Sequence, residues 1–453
     1  MMRSMFSSVS GLKAHQTKMD VIGNNIANVN TVGFKSSRVT FQDVFSQTLS
    51  SASAPDNTTG RSGTNPMQVG LGMGVASVDM LVTAGSVQRT DNPTDLSING
   101  DGFLIVKGNN DDQFLFTRAG NLTVDEDGNL TAPGGYTVYG WLDYGGTQQA
   151  DGSFLFDTSV DVQPINIYSD EINGNKKVIA AKATGNVVLT GNLNSSTAVT
   201  TSTTGVNPAF STPVIVYDAL GNAHKININF WKTGATSNDD PENAASTWYW
   251  SVTPENGSDI QVNYNSSSQT LTFNGYGKIT SSANDLKPTI TIEPTTGSNL
   301  GTGSFDVTID FSTLTMFAIE NSVKEKSVDG YPAGKLVSYS IDSNGVITGV
   351  YSNGRQQPLG KIALAVFDNP AGLERVGNNM FAATTNSGSF NGKGTPAGSG
   401  GAGTFNPGTL EMSNVDLAKE FTEMITTQRG FQANSRIITV SDEMLQELAN
   451  MKR

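Results

Sequence analysis

The sequence predicts a mainly β protein with a long α-helix at each end and two antiparallel β domains nested between the helices. Two observations support this class. In the two terminal segments, apolar residues recur at alternating spacings of four and three, which is typical of a helix that packs on another helix. Between these segments, short or alternating apolar runs are separated by Asn-Gly and Asp-Gly pairs, which is typical of β-hairpins.

The first helix is predicted within residues 1–30. Gln16 and Gly23 occupy positions in its apolar seam, and Ile22 widens the stripe. We expect the helix to end in the stretch 28–33, because its Asn and Gly residues favour turns. The predicted seam comprises Met5, Val9, Leu12, Met19, Ile22 and Ile26.

The second helix is predicted from Leu417 to Met451, inside a terminal segment of residues 406–453. This helical stretch contains no Pro and a single Gly. Ser413 and Asp416 are predicted to form a capping box at its start. At a rise of 1.5 Å per residue, the helix would be about 50 Å long. The predicted seam comprises Leu417, Phe421, Met424, Phe431, Ile438, Leu445 and Leu448.

The middle of the chain consists of strand-like runs, among them residues 103–106, 214–217 and 362–367. Turn pairs such as Asn99-Gly100 and Asn344-Gly345 separate them. Both residues of such a pair tolerate the positive φ that a type I′ turn requires. The middle is therefore predicted to be rich in hairpins and to form a sandwich or a barrel.

Stretches rich in Ser, Thr, Gly and Pro divide the chain. Residues 50–64 are predicted to be an extended or flexible loop within an extended linker over residues 31–74. Residues 191–212 are predicted to be a sheet edge or a passage between domains, and residues 392–408 a linker. A helix at each extreme, joined to the β region by such segments, indicates that the two ends form one layer.

Charge and the rare residue types exclude several functions. A net charge of −13 disfavours binding to a phosphate backbone, so no nucleic-acid partner is expected. The chain has no Cys, and His15 and His224 are its only histidines, so neither a metal site nor a cofactor is expected. The chain has no apolar run of the roughly 20 residues needed to cross a bilayer. Residues 1–29 lack the unbroken apolar block of a cleaved secretion signal.

No motif predicts a catalytic residue. Residues 70–74 are glycine-rich but lack dinucleotide-binding spacing and a P-loop Lys, so we predict a loop or a close backbone approach. Residues 125–129 resemble a calcium loop, yet Leu130 and Tyr136 stand where an EF-hand needs Gly and Glu. A hairpin turn is predicted there. A carboxylate pair for glycoside hydrolysis stays open, because any two acids can meet in space.

The terminal seams allow more than one interpretation. Each helix can pack on the core of its own domain, or the seams can pair with another helix, within the chain or in a neighbouring copy. The length of the last helix, its narrow seam and the Gly-rich stretch before it favour pairing. The first helix could also lie on anionic lipid, but its weak apolar face disfavours this. A seam left uncovered in one chain is expected to be poorly ordered until assembly covers it.

Three stretches resemble the axial proteins of the bacterial flagellum, the rod and hook group. They are residues 24–35, 93–103 and 414–435, and they occur in the order that the family shows. The stretches are long and specific, whereas residues 185–350 match less distinctively. The family-signature residues are Asn24, Asn25, Ala27, Asn28, Thr31, Gly33, Phe34, Gln428, Arg429 and Asn434.

The resemblance implies a structural subunit, not an enzyme, that forms a homopolymer of many copies. The terminal helices would form the innermost tube around an export channel, and the seam residues named above would be the assembly interface. Residues 75–168 with 354–405 would form a middle β domain, and residues 169–353 an outer one. The length of the chain and residues 216–224 resemble the hook branch, whose curved hollow tube is a flexible universal joint.

The resemblance also implies a location and partners. The chain would lie outside the cell in the hook, exported without a cleaved signal peptide and not inserted in a membrane. Its partners would be the distal rod, the hook cap, the hook–filament junction proteins and the flagellar export apparatus. A distal rod subunit is the near alternative, and a straight polymer would indicate it. A secreted β-rich carbohydrate-active enzyme is the distant alternative.

Overall fold

Long helices lie at the two ends of the chain, and strands make up most of what lies between, so the predicted fold class is confirmed. The computed structural model describes residues 2–55, 62–108, 113–142, 155–172, 174–203, 205–237, 240, 242, 244–255, 259–265, 269–295 and 301–451. The helices are α1 (Met2–Ala27), α2 (Ala283–Leu286) and α3 (Leu417–Met451), with a 3₁₀ turn at Pro370–Gly372.

The strands follow one another closely along the chain. They are β1 Ser37–Asp43, β2 Ser46–Ser50, β3 Met67–Gly70, β4 Met73–Met80, β5 Val87–Arg89, β6 Leu96–Asn99, β7 Phe103–Lys107, β8 Leu115–Thr117, β9 Thr123–Val124, β10 Leu130–Ala132, β11 Tyr136–Trp141, β12 Gln163–Pro164, β13 Ser169–Asp170, β14 Gly174–Asn175, β15 Val178–Ile179, β16 Asn186–Asn194, β17 Phe210–Tyr217, β18 Ala223–Thr236, β19 Ala245–Pro254, β20 Ile260–Tyr264, β21 Thr270–Asn274, β22 Thr289–Pro294, β23 Phe305–Phe317, β24 Lys324–Val328, β25 Gly334–Ile341, β26 Val346–Tyr351, β27 Gln356–Ala365, β28 Glu374–Gly377, β29 Met380–Ala382, β30 Thr395–Pro396, β31 Thr404–Pro407 and β32 Thr409–Glu411.

The chain forms two compact units. The first unit comprises Met1–Gly174, Tyr339–Gly349 and Gln357–Arg453, and the second comprises Asn175–Ser338 and Val350–Gln356. The predicted division of the first unit into a helical layer and a middle β domain stays a prediction.

The second unit contains a five-stranded sheet, ordered β20-β22-β23-β16-β24, and a four-stranded sheet, ordered β17-β18-β19-β21. Burial alternates along β17, as expected of a strand with one face on a core. The rings of Phe230, Trp248, Trp250 and Phe311 are fully buried in one continuous apolar cluster. The pairing is antiparallel, as predicted, except that β16 runs parallel to β23.

The first unit contains a sheet in which β27, β11, β7, β8, β29 and β28 are successive neighbours. Its core includes Phe103, Phe116 and Phe381, and Phe103 contacts Phe381 edge to face. The predicted hairpin turn at residues 125–129 is confirmed, because the backbone N–H of Asn129 donates to Asp125 Oδ1 at 2.7 Å.

The linker predicted over residues 31–74 is wrong in part, because this stretch contains strands. Strand β1 pairs with β4, and β2 pairs with β3, to give two antiparallel ribbons. Their apolar alternation is short, as at Val39 and Phe41 of β1, and it flanks the Ser/Thr/Gly-rich stretch that predicts a linker. The central part of the predicted loop at residues 50–64 lies outside the described residues. The close approach predicted at residues 70–74 is confirmed, since a Cβ at Gly72 would lie 2.2 Å from Ser10 Oγ.

Two further boundary predictions need correction. The linker predicted at residues 392–408 contains β30 and β31, and β31 pairs with β6 and buries Phe405. Of the two alternatives for residues 191–212, a passage between units is wrong, because the stretch runs from the end of β16 to the start of β17 inside the second unit. The sheet edge is confirmed, because β17 is an outer strand of the four-stranded sheet. Glycines and serines in these stretches serve turns between short strands, which composition alone does not distinguish from a linker.

Helix α3 begins at the predicted residue, but its cap differs from the prediction. The backbone N–H groups of Ala418 and Lys419 donate to Asp416 Oδ1 at 2.9 and 3.2 Å. Asp416 is therefore the N-cap itself, and Ser413 lies outside the cap. Ser413 Oγ instead accepts from the N–H of Val415.

Candidate assembly surface

Helices α1 and α3 pack against each other in antiparallel orientation. Lys18 Nζ lies 3.2 Å from Glu423 Oε2, and Asn25 Nδ2 donates to Glu420 Oε1 at 3.2 Å. Nearer the start of α1, Gly11 lies against Asn434. Residue numbers thus rise along one helix as they fall along the other, and the predicted pairing of the two ends is present within one chain.

The faces that the helices bury are mostly small or polar. On α1 the buried residues are Ser8, Gly11, Ala14, Ile22 and Asn25. On α3 they are Thr427 and Ser441. Small side chains let two helix backbones approach closely, as at Gly11, which lies against Asn434 of α3.

Most of the large apolar residues of α3 are exposed, and α1 also exposes some of its own. Among the predicted interface residues, Phe421 is 49% exposed and Phe431 37% exposed, whereas Ile22 is only 2% exposed and is left out of the proposed surface. The other predicted residues divide into two groups. Val9, Leu417, Leu445 and Leu448 are exposed, and Met5, Leu12, Met19, Ile26, Met424 and Ile438 are half-buried.

The seam analysis missed a second set of exposed apolar residues. These are Phe6 on α1 and Ile425, Ile437, Val440, Met444 and Met451 on α3. A signal was available, because the positions 437, 440, 444, 448 and 451 are again three or four residues apart, which marks one helix face. An exposed apolar helix face of this kind is typical of interaction sites.

A buried cluster of charges anchors the chain where it leaves α1 and where it approaches α3. Lys35 Nζ lies 2.6 Å from Glu411 Oε1, and Arg118 Nη1 lies 3.3 Å from Glu411 Oε2. Lys35 Nζ also donates to the carbonyl of Thr83 at 2.8 Å. Burial lowers the pKa of Lys35, and the nearby Glu411 carboxylate acts in the opposite direction. The cluster joins parts of the chain that are far apart in sequence.

The signature residues that follow α1 shape this junction. Gly33 has φ of 69°, its N–H donates to the carbonyl of Glu411 at 2.8 Å, and a Cβ there would lie 2.7 Å from the Arg118 backbone. The ring of Phe34 lies 5.1 Å from the guanidinium of Arg375. Asn25 bonds both backbone groups of Ser37. These residues fix how the chain turns from the helix into the ribbon.

The remaining signature residues have other environments. Asn28 Nδ2 donates to Asn24 Oδ1, and Thr31 Oγ1 donates to Asn28 Oδ1, within the turn that ends α1. Asn434 Nδ2 donates to the carbonyl of Gly430 at 3.0 Å. Ala27, Gln428 and Arg429 are exposed.

No constellation for catalysis or metal binding stands out in the described part of the chain. His224 Nε2 lies 3.3 Å from Asp218 Oδ2, but this carboxylate also accepts from the backbone N–H groups of Leu220 and Asn222. Asp218 thereby organises a turn. Within the described residues, no group of three His, Cys, Asp or Glu side chains is placed to hold a metal ion. None of the described helices is both long and apolar enough to span a bilayer.

Four family models match the chain in sequence order. They are "Flagella basal body rod protein" over residues 5–35, "Flagellar hook protein FlgE/F/G D1 domain" over 97–189, "Flagellar basal body protein FlaE D2 domain" over 192–331 and "Flagellar basal body rod FlgEFG protein C-terminal" over 406–451. Together with the long helix at each end of the chain and the strands between them in sequence, these matches define the class: an axial protein of the bacterial flagellum, in the rod and hook group.

Curated relatives narrow the class. The flagellar hook protein FlgE of Borreliella burgdorferi is 40% identical over 473 residues, and that of Treponema pallidum is 38% identical over 490 residues, each match covering 100% of both chains. The flagellar basal-body rod protein FlgG of Bacillus subtilis is 29% identical over 453 residues, again with both chains covered in full. The chain belongs to the flagellar hook protein family.

Proposed function

We propose that this chain is a structural subunit that self-assembles into the curved, hollow hook of the bacterial flagellum. The hook is a flexible universal joint that transmits motor torque to the filament and encloses the export channel. The observation that carries the proposal is the helix pair whose large apolar residues face outward. Such a surface gains free energy only when another molecule covers it.

The helix pair is suited to an open polymer. The apolar residues lie on more than one face of α3, since Val440 and Leu445 are both exposed and, being five residues apart, point about 140° away from each other. Different faces can contact different neighbours, and head-to-tail contacts that do not close on themselves build helical assemblies. In this proposal the assembly interface comprises the exposed and half-buried seam residues together with the second set on α1 and α3.

The proposed domain roles follow from chemistry. Residues 1–30 and 406–453 form the inner tube, residues 75–168 with 354–405 the middle domain, and residues 169–353 the outer domain. The helices supply cohesion through apolar contact. The outer region is rich in Ser, Thr and Asn, and polar hydrated contacts exchange partners at little cost, so it supplies the compliance that a bending joint needs.

The proposal includes a location and partners. The subunit lies in the extracellular hook, after export without a cleaved signal peptide, and works as a structural protein without catalysis or cofactor. Its contacts are with other copies, with the distal rod, with the hook cap and hook–filament junction proteins, and with the flagellar export apparatus.

Truncation after Ser413 tests the proposal directly. The shortened chain loses α3 but keeps the second unit and its fully buried core. We expect no polymer in electron micrographs, while the tryptophan fluorescence of the second unit still shows a cooperative unfolding transition. Tubes formed by the truncated chain would contradict the role given to α3.

A distal rod subunit is the second candidate, and the full-length similarity to the rod protein FlgG of Bacillus subtilis supports it. The two candidates differ in the shape of the polymer. Electron microscopy of polymer formed by the full-length chain is expected to show curved tubes for a hook subunit. Straight tubes would favour the rod.

A further inference from the structure

Helices α1 and α3 each carry a glycine at the point where a polar side chain of the other helix enters. A Cβ added at Gly11 would lie 2.9 Å from Asn434 Nδ2 and 3.1 Å from Asn434 Cγ. A Cβ added at Gly430 would lie 2.9 Å from both Cε1 and Nε2 of His15. Each glycine therefore leaves a hole that the side chain from the other helix fills.

The two contacts are reciprocal. Gly11 and His15 are four residues apart on α1, and Gly430 and Asn434 are four residues apart on α3, so each glycine and polar residue lie one turn apart on the same face. Because the helices are antiparallel, Gly11 lies opposite Asn434 where His15 lies opposite Gly430. Each contact fits at one longitudinal offset of α1 against α3, and the two contacts require the same offset.

Both inserted side chains are held in place from behind. Asn434 Nδ2 donates to the carbonyl of Gly430 at 3.0 Å, which links one contact to the other. The ring of His15 lies edge to face with Phe41 of β1, with centroids 5.7 Å apart. His15 Nδ1 is buried without a hydrogen-bond partner among the described residues, so its position is set by packing and not by a polar contact at that atom.

We propose that the pairs Gly11–Asn434 and Gly430–His15 are positioning contacts that fix the register of α1 against α3. A slip of one turn in one direction brings His15 opposite Asn434 and Gly11 opposite Ile438, where no hole receives the larger side chains. A slip in the other direction brings the two glycines opposite each other and His15 opposite Thr426. Only the observed register fills both holes.

The register decides which apolar residues of the two helices lie side by side. It therefore shapes the surface that the proposed function uses for assembly, and in this respect the inference rests on that function. The register itself is a property of the single chain and can be measured without a polymer.

Alanine substitutions at the glycines test the contacts, because the contacts decide whether the thermal midpoint falls or rises. Glycine inside a helix is less favourable than alanine, so an unconstrained Gly→Ala change raises helix stability. Gly23 in α1 has no atom within 4 Å of an added Cβ and is the matched control. We expect G23A to raise the thermal midpoint of the helical circular-dichroism signal of the full chain, and G11A and G430A to lower it.

Removing the side chain that fills the hole should reverse the effect at Gly430. In an H15A background the added methyl group meets no imidazole, so G430A should raise the midpoint relative to H15A alone. This reversal separates a specific contact from a general loss of folding. A G430A effect that is unchanged in the H15A background would overturn the proposal, as would G11A and G430A behaving like G23A.

Zero-length carbodiimide crosslinking reads the register itself. Lys18 Nζ lies 3.2 Å from a carboxylate oxygen of Glu423, so the two are expected to form an amide bond that mass spectrometry of digested chain identifies. A slip of one turn puts Thr427 or Lys419 in the place of Glu423, and neither can react. G430A should reduce the yield of this crosslink. H15A combined with G430A should not restore the yield, because that variant still lacks the contact between His15 and Gly430.

The outcomes separate this inference from the proposed function. A Lys18–Glu423 crosslink in the wild-type chain with the expected changes in the variants supports the positioning contacts, even if no polymer forms. Polymer formation with no such crosslink, in either dilute chain or polymer, overturns the contacts and leaves the function standing.

Discussion

The second unit and the terminal helix pair place their large apolar side chains in opposite positions. In the second unit, Phe230, Trp248 and Phe311 are fully buried in one apolar cluster. In the helix pair, Ser8, Gly11 and Thr427 are buried, and residues such as Phe421 and Ile425 are exposed. One region buries its large aromatic side chains within the chain, and the other leaves many of its large apolar side chains exposed.

This difference separates stability from assembly. Substitutions in the core of the second unit should lower the free energy of unfolding, because they remove buried contacts. Substitutions on the outer faces of the helices should leave the single chain nearly unchanged and weaken the polymer. The following predictions test this separation, beginning with the largest expected effect.

The largest effect is expected in the core of the second unit. The ring of Phe311 is fully buried, with its centroid 5.1 Å from that of Trp250 and 6.1 Å from that of Phe230. F311A should lower the free energy of unfolding by about 3–5 kcal/mol, since it leaves a cavity. Phe317 at the end of the same strand is 49% exposed, and F317A should cost about 1 kcal/mol or less. Urea unfolding followed by tryptophan fluorescence measures both, and equal effects would contradict the comparison.

A loss of similar size is expected at the charge cluster that follows α1. E411Q removes the anion between Lys35 and Arg118, which are 1% and 2% exposed. Buried cations left without their partner destabilise by about 3–5 kcal/mol. Thermal unfolding followed by the fluorescence of Trp141, which lies in the first unit, should report the change.

The matched control for this cluster is an exposed ion pair. Arg89 and Asp91 lie 2.5 Å apart on the surface, with most of both side chains exposed. D91N should therefore leave stability nearly unchanged. A loss at Asp91 as large as that at Glu411 would show that burial is not what makes the cluster important.

A smaller effect per residue is expected on the outer faces of α3. I425S and V440S should each leave unfolding of the single chain nearly unchanged, because both side chains are already in water. Each should raise the concentration needed for polymerisation about tenfold, from roughly 1–2 kcal/mol of lost apolar burial. Sedimentation of polymer over a concentration series measures this. Unchanged polymerisation in the double variant would remove these residues from the proposed interface.

The smallest expected effect is a difference in how the stability of the second unit and of the helix pair depends on pH. Burial alone raises the pKa values of Asp218, Asp310 and Asp329, but the hydrogen bonds they accept outweigh it and all three pKa values are lowered. Their contribution to stability is complete above the ordinary pKa of 3.8 and is lost as pH falls through the lowered values.

Burial lowers the pKa of His15 from 6.5, so the unfolded chain takes up this proton first and the helix pair weakens below about that pH.

This ordering can be measured on one sample of full chain. As pH is lowered, the thermal midpoint from the helical circular-dichroism signal should begin to fall at a higher pH than the thermal midpoint from the tryptophan fluorescence of the second unit. The burial that raises the pKa of Glu420 acts in the opposite direction, at lower pH than His15. Coincident loss of both signals would contradict the assignment of His15 to the helix pair alone.

The sequence was sufficient for the features that depend on periodicity and turn chemistry. The start of α3 at Leu417 and the hairpin at Asp125 were predicted, because spacing and local hydrogen-bonding residues determine them. The ribbon of β1 and β4 was missed, because its apolar alternation is too short to stand out beside a Ser/Thr/Gly-rich stretch. Backbone hydrogen bonds hold these strands together, and the sequence does not show which backbone groups pair.

The helix interface was harder to predict for a different reason. A search for large apolar seams cannot find a contact such as that of Gly11 with Asn434, where the important property is the absence of a side chain. The single Gly of α3, Gly430, was visible, but its role depends on His15, more than 400 residues away in sequence. The charge cluster of Lys35, Arg118 and Glu411 likewise unites distant positions, and only the folded chain brings these together.

The outward-facing apolar residues also have a consequence before any polymer exists. A newly made chain carries adhesive faces while it is still dilute and surrounded by other proteins, where any apolar surface is a possible wrong partner. Correct association then competes with clumping, and the balance depends on how many free copies are present at once. Supply of the chain must therefore be matched to the rate at which copies are incorporated, so that few free copies with exposed apolar faces are present at any time.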